Sequence, residues 1–502
     1  ARALQGRAMG TSTKEAPMDF SLSLIGGTRV EDFMGGTLGL IGGITYGKKY
    51  TMEEGVRGFA NMGAGTPTAT ELWQFSKGTE SLLAGALMSA SLEFSPEDSV
   101  TLTYFANVAA QDDAIFSVGE TAVLNTLGNG VPIDNEEILV FREFMYYTER
   151  RLQTLQLAGQ HSIDGMEDVK IDWLMSYSES SQDQPDLRKA TYAFSYSLND
   201  YVGTGDPAPP DLERVWRRLD DTNYNVALNA EVPLDSGAAQ GATGVKLKFG
   251  GSFDHSTREY RSDNFEYFGL PATSLIADYL NVGPDGRLLG RPSADNNNTL
   301  TLGDLIGDLD LLDQVQIPTV TPGVIRVRDN FYLARAFNVP ALEAYEAVQT
   351  IPAAYAQFSF NNDDNFEAVI GARLEATRLK VDVAQFGTEG SSSAGDFLKQ
   401  FGNLNFDINR VDLLPSLSTR WKFNDSMTLR SAFSRSVARP TFKEIALVFS
   451  RDPESGNFFV GNPDLEMSSV LNYDVRWEWE PSVGDLLAIS FFAKQIDKPI
   501  EY

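Results

Sequence analysis

The stretch LNYDVRWEWE, residues 471–480, decides the fold class of this chain. Its odd-numbered positions hold leucine, tyrosine, valine and two tryptophans, whereas its even-numbered positions hold asparagine, aspartate, arginine and glutamate. Successive side chains of a β-strand point to opposite faces, so the pattern predicts a strand with one apolar, aromatic face and one polar face. In a helix the same charges would be spread around the axis, so the pattern disfavours a helix.

The same alternation recurs along the chain. It is clear in the segments that begin at Val100, Ile171, Val226, Val245, Phe366 and Leu417. Short polar turns such as 95–98 and 424–426 join some neighbours, and much longer stretches such as 47–82 and 110–149 join others. Loops that are short at one end and long at the other are typical of outer-membrane β-barrels. We count about 15 strands of ~9–13 residues, a length that suits a tilted crossing of the hydrocarbon layer.

Alternating strands also build water-soluble sandwiches, in which the apolar face packs against a second sheet. The length of the strands and the aromatic residues along their apolar faces favour the membrane. We predict an aromatic girdle at the membrane interface, formed by Trp421, Tyr473, Trp477 and Trp479. The sequence therefore predicts an all-β fold, a transmembrane antiparallel β-barrel with short periplasmic turns and long extracellular loops.

Composition excludes several other classes. The 502 residues include 41 Lys+Arg, 69 Asp+Glu, two His and no Cys, and the net charge is −28. Without cysteine there is no disulfide framework, thiolate metal site or iron–sulfur cluster, and an acidic chain without a basic block is unsuited to nucleic acid. Nucleotide-binding and Gly-x-Ser-x-Gly motifs are missing from the sequence, so we predict no enzyme, no cofactor and no metal site. No stretch approaches ~18 consecutive apolar residues, which argues against a transmembrane helix.

The polar strand faces are predicted to line the barrel lumen. The candidates to contact a plug or line a transport path are Arg373, Glu375, Arg430, Arg476 and Glu478. The alternative is that these charges pair with one another across strands.

A long extracellular loop is predicted over residues 258–352. Such length indicates a functional or disordered connection. A short helix is expected within it at 341–350, after Pro340. The carboxylates between Asp304 and Asp313 have two interpretations. One is a Ca²⁺-binding site, and the other is a solvated acidic loop.

Two groups of motifs resemble the barrel of TonB-dependent outer-membrane receptors. The first is LPSLS at 414–418 followed by LRSAFSRSVARP at 429–440, and the second is GNPDL at 461–465 followed by NYD at 472–474. Near residue 180, DW at 172–173 and PDLR at 185–188 are similar to the same family. The motif residues Arg435, Arg439, Pro440, Gly461, Asn462 and Pro463 are expected at the base of an outer loop, where they shape that loop instead of contacting a ligand.

The resemblance implies a barrel of about 22 strands around an N-terminal plug. It also implies location in the bacterial outer membrane and active import of a small nutrient: a siderophore–iron complex, cobalamin or an oligosaccharide. The implied partners are outer-membrane lipid and the TonB energising complex, which acts on the plug through a short N-terminal box.

Two departures from the family lead us to expect an incomplete barrel domain over 1–502. Nothing before residue 12 resembles a plug or a TonB box, and the chain stops at Tyr502, after about 15 strands counted from a first strand near 2–11. Besides energised import, two functions stay open. They are a passive porin-like channel and a soluble β-rich carbohydrate-binding module.

Overall fold

One antiparallel sheet dominates the structure. The structure is a computed structural model that describes residues 10–63, 66–121, 138–163, 169–195, 200–203, 211–234, 244–269, 324–327, 331–335, 341–362, 365–386, 405–451 and 458–501. Fourteen long strands follow one another in the sheet. They are β1 (Phe20–Phe33), β2 (Gly36–Gly63), β3 (Thr66–Ser95), β4 (Asp98–Thr121), β5 (Ile138–Ile163), β6 (Val169–Ser195), β8 (Asp211–Pro233), β9 (Gly244–Gly269), β12 (Ala341–Asn362), β13 (Phe366–Phe386), β14 (Phe406–Asn424), β15 (Met427–Ala438), β18 (Ser468–Trp479) and β19 (Leu487–Asp497).

The other elements are short. β7 (Asp200–Gly203) pairs with the end of β6, β11 (Phe331–Arg335) pairs with β9, and β10 (Val324–Val327) pairs with β11. The segment after β15 holds a helix, α1 (Phe442–Ile445), and a separate hairpin of β16 (Phe449–Arg451) and β17 (Phe458–Val460). Within the described residues, β1 pairs with β2 alone and β19 with β18 alone.

The predicted antiparallel architecture is confirmed, with the short turns at one end. Two residues separate β1 from β2, β3 from β4, and β14 from β15. The connections at the opposite end are mostly long, and many of their residues fall outside the described ranges.

The strands are much longer than the ~9–13 residues expected from a membrane crossing. β2 has 28 residues and β3 has 30, so the predicted connection 47–82 is mostly strand. The stretch 110–149 likewise contributes to β4 and β5. Hydrogen-bonded pairing therefore continues well beyond the length that crosses the lipid.

The long loop predicted over 258–352 is partly strand, because β9 runs to Gly269 and β12 begins at Ala341. The helix expected at 341–350 is wrong, since those residues pair with β9 on one side and with β13 on the other. Pairing on both edges overrides the helix propensity of an Ala- and Glu-rich stretch. Residues 304–313 and most of the first strand expected near 2–11 lie outside the described residues. Gly10 and Thr11 are described, and they are not in a strand.

An apolar belt covers the outward face of the sheet. Leu417, Ile370 and Phe358 lie directly opposite one another across β14, β13 and β12, and their exposed fractions are 41%, 57% and 49%. Large apolar side chains exposed in one row would be costly in water, and they match the lipid-facing band of a membrane barrel. No helix in the described part of the chain is long and apolar enough to cross a membrane.

Candidate functional site

The predicted aromatic girdle lies mostly near the short-turn end of the sheet. Trp421 is opposite Leu429, which is opposite Trp477. The rings of Trp477 and Trp479 stack with centroids 6.5 Å apart. Tyr473 lies four residues farther from the turn than Trp477, and its ring contacts Phe433 with centroids 5.3 Å apart. The three tryptophans therefore occupy one level, and Tyr473 lies within the apolar belt instead.

The inner face carries charges that contact one another, both along a strand and between neighbouring strands. Glu478 accepts hydrogen bonds from Nε of Arg476 at 2.7 Å and from Nε of Arg430 at 3.2 Å. These are three of the predicted lumen residues. Arg430 reaches Glu478 from the neighbouring strand, whereas Arg476 and Glu478 lie on the same strand, β18. Arg476 also donates to the hydroxyl of Ser490 on β19 at 3.3 Å.

A second charged group lies farther from the short turns and joins the other two predicted lumen residues. Nε of Arg373 donates to Glu375 at 2.6 Å, and the same guanidinium reaches the Ser252 hydroxyl at 3.0 Å. The guanidinium of Arg439 also donates to Glu375, and its Nε donates to Thr377 Oγ1 at 2.9 Å. Glu375 thus holds an arginine of its own strand and an arginine from the segment that follows β15.

That segment, residues 439–467, is called here the β15–β18 connection. Its first part turns onto the inner face of β12–β14 and begins α1 with a capping box, in which Thr441 and Glu444 hydrogen-bond each other's backbone amides. From the last residue of α1 onward the chain buries four consecutive apolar residues against the sheet. These are Ile445, Ala446, Leu447 and Val448.

The surface they cover is an inner apolar cluster. It consists of Tyr345 and Ala347 on β12, Leu379, Val381 and Val383 on β13, and Phe406 on β14. The cluster residues of β13 have odd numbers, as Glu375 and Thr377 do, so they lie on the same inner face of that strand. The connection therefore covers the inside of the wall. Burial raises the pKa of the Tyr345 phenol to about 12. The ring therefore stays uncharged inside the cluster at physiological pH.

The Gly-Asn-Pro motif fastens the other part of the connection. The backbone amide of Asn462 donates to the carbonyl of Glu444 at 2.6 Å, and the Asn462 side chain accepts from the amide of Asp464 at 2.9 Å. A Cβ at Gly461 would lie 2.6 Å from the carbonyl carbon of Ala446 and 2.9 Å from the carbonyl oxygen of Lys443. Glycine is therefore needed for the two backbones to approach, and Pro463 follows this contact directly. These contacts hold two parts of the connection together, and the loop-shaping role expected of the whole set of motif residues stays a prediction.

Arg435 bridges a gap in the sheet. β14 and β15 pair only as far as Ser416 and Ser434, and beyond that level β14 still pairs with β13 while β15 still pairs with β18. The guanidinium of Arg435 reaches the carbonyl of Leu413 at 3.3 Å and the carboxylate of Asp412 at 3.5 Å. The β15–β18 connection enters the lumen side just above this gap.

A cavity of about 460 Å³ lies under the start of the connection. Pro440 and Phe442 line it on one side, and residues of β6, β8, β9 and β12 line it on the other. Sequence reasoning missed this site. The one available signal was the polar residues at alternate positions of β6, β8 and β9, and it did not show which positions of different strands are neighbours. None of the described residues form a group of three or more His, Asp or Glu that would hold a metal ion.

Substitution of Glu375 is expected to loosen the β15–β18 connection. Glu375→Gln keeps the side-chain volume and removes the charge that Arg439 and Arg373 share, at a cost of about 1–3 kcal/mol. We expect faster tryptic cleavage after Lys443, measured by peptide mapping of receptor in outer-membrane preparations. Glu367→Gln is the matched control, because Glu367 pairs with Arg420 at 2.8 Å away from the connection. Equal cleavage of Glu375→Gln and wild type would contradict the prediction.

An outward apolar belt, a charged inner wall and a connection folded onto that wall define the class of the protein, a membrane-spanning antiparallel β-barrel. The family description "TonB dependent receptor-like, beta-barrel" matches residues 162–502. The chain therefore belongs to the TonB-dependent receptor family. Barrels of this family lie in the bacterial outer membrane, and the family is one of transporters, not enzymes.

Solved structures give weaker comparisons. The chain is similar to the siderophore receptor PiuA from Acinetobacter baumannii, with 11% identity and a TM-score of 0.40, and the match covers 96% of this chain and 57% of PiuA. It is also similar to BauA, the ferric preacinetobactin receptor of the same organism, with 8% identity and a TM-score of 0.14 over 92% of this chain and 71% of BauA. The chain thus spans little more than half of PiuA. No curated protein matches it in sequence.

Proposed function

We propose that this chain forms part of the barrel wall of a receptor that actively imports a scarce small nutrient across the outer membrane. Family membership is the observation that carries the proposal. In this proposal the TonB energising complex supplies the work by acting on a plug. The candidate cargoes are a siderophore–iron complex, cobalamin or an oligosaccharide.

The inner wall supports the proposal in physical terms. Its charges are paired with one another, as in Arg476–Glu478 and Arg373–Glu375, so they leave no single-sign field across the lumen. The β15–β18 connection lies against this wall and takes up space that an open pore would need. A narrowed lumen favours a gated carrier over an open pore.

Energy dependence is the decisive property. The protein that contains this chain is expressed in cells with and without the inner-membrane energising complex, and radiolabelled ferric siderophore, cobalamin and oligosaccharides are supplied separately. We expect one of them to accumulate only in cells that hold both the complex and a proton gradient. Uptake that persists after deletion of the complex would instead establish the passive channel.

A further inference from the structure

The cavity under the β15–β18 connection is built from one continuous row of polar side chains. Ser178 on β6 lies opposite Asn223 on β8, Asn223 lies opposite Ser256 on β9, and Ser256 lies opposite Gln349 on β12. All four line the cavity. The row continues to Thr154 on β5, whose hydroxyl is 3.0 Å from that of Ser178. These five residues are called here the polar row.

The spacing of the polar row suits an elongated ligand. Neighbouring strands lie about 4.8 Å apart, so the row presents a hydroxyl or amide group at each such step. That interval is comparable with the length of one sugar ring, so successive rings lying across the strands would each meet at least one donor or acceptor. The cavity volume of about 460 Å³ lies within the roughly 300–1,000 Å³ of small-molecule sites.

The charges around the cavity cancel. Arg258 and Asp221 both line it and form a forked ion pair, with Nε of Arg258 2.9 Å and Nη2 2.5 Å from the carboxylate oxygens. Arg439 lines it too and pairs with Glu375, the carboxylate that it shares with Arg373. The carboxylate of Asp254, in the next row, accepts from the amide of Asn223 at 3.2 Å. Among the described residues that line the cavity, neither arginine lacks a carboxylate partner, so burying the charge of an anionic iron complex here would be costly.

The connection supplies one side of the site. Phe442 contributes an aromatic ring, with the guanidinium of Arg258 5.2 Å from its centroid, and Thr441 adds a hydroxyl. An aromatic ring beside hydroxyl and amide groups suits a molecule whose faces are apolar and whose edges carry hydroxyls.

We propose that this cavity binds an uncharged, polyhydroxylated ligand, a short oligosaccharide, lying along the polar row. The proposal rests on the proposed function, because the ligand reaches the inner wall as imported cargo. It narrows the three candidate cargoes to one chemical class and assigns its recognition to Asn223, Ser256 and Gln349.

The test uses the receptor that contains this chain, purified in a detergent without sugar headgroups so that the detergent does not compete. Calorimetric titrations use neutral oligosaccharides of glucose, xylose and N-acetylglucosamine, and separately an anionic ferric catecholate. We expect a neutral oligosaccharide to bind and the ferric complex not to bind. Asn223→Leu and Gln349→Met should each weaken that binding about tenfold, since each removes hydrogen bonds of about 1.4 kcal/mol in total.

Thr103→Val is the matched control, because the Thr103 hydroxyl is on the inner face, 2.9 Å from that of Ser89, and outside the cavity. It should leave the affinity unchanged. Binding of the ferric complex alone, no binding of any neutral oligosaccharide, or wild-type affinity in both cavity variants would each overturn the inference. Energised uptake of an iron complex would overturn this inference and leave the proposed function intact. If the cavity variants weakened oligosaccharide binding but uptake needed no energising complex, this inference would stand and the proposed function would be overturned.

Discussion

Replacing Gly461 with alanine is expected to detach the β15–β18 connection from the inner wall. The added Cβ would overlap the carbonyl group of Ala446, whose carbon lies 2.6 Å from the ideal position. The backbone is held in place on both sides of this contact. The amide of Asn462 donates a hydrogen bond to the carbonyl of Glu444, and Ala446, Leu447 and Val448 are buried. The clash cannot be relieved by a rotamer change, and we expect a cost of about 3 kcal/mol.

Hydrogen–deuterium exchange of the peptide spanning α1 measures this effect. A cost of about 3 kcal/mol corresponds to exchange about a hundredfold faster. Gly78→Ala is the control, because a Cβ at Gly78 meets no atom within 4 Å. Unchanged exchange in Gly461→Ala would contradict the close packing described here.

Replacing Leu417 with arginine is expected to impair assembly in the membrane. Leu417 lies on the outward face, four residues above Trp421, and is 41% exposed. An arginine at the middle of the lipid-facing band costs about 2–4 kcal/mol. We therefore expect less of the receptor to reach the heat-modifiable, folded form on a gel.

Ser418→Arg is the closest available control. Ser418 is the next residue on the same strand, and its side chain points to the inner face, where arginines such as Arg420 already pair. That variant should assemble as wild type does. If both variants assembled equally well, the assignment of the outward face to lipid would be wrong.

The sequence predicts the membrane-spanning part of this fold well because lipid on one side and water on the other impose a period of two. The alternation in residues 471–480 becomes β18, with its tryptophans outward and its charges inward. The extent of the strands was not predictable in the same way. Above the membrane the two faces no longer meet lipid and water, so stretches such as 47–82 lose the pattern although they stay paired.

The site was less predictable than the fold. Arg439 and Glu375 are 64 residues apart in sequence. No local sequence pattern predicts that the chain after β15 turns inward. The Gly-Asn-Pro motif can be recognised in the sequence. The need for glycine in it comes from the close approach of Gly461 to Ala446, which forms only when the connection folds. The polar row depends on the register of five strands, which turn geometry and cross-strand packing set together.

The charged inner wall described above requires that the even-numbered residues of β18 face the lumen. The chain has no cysteine, so single cysteines at positions 473 to 477 can be labelled one at a time in intact outer membranes. We expect a membrane-impermeant thiol reagent to label cysteines replacing Asp474 and Arg476, and a lipid-phase probe to reach those replacing Tyr473, Val475 and Trp477. Equal labelling at all five positions, or the opposite alternation, would contradict a membrane barrel wall with this inner face.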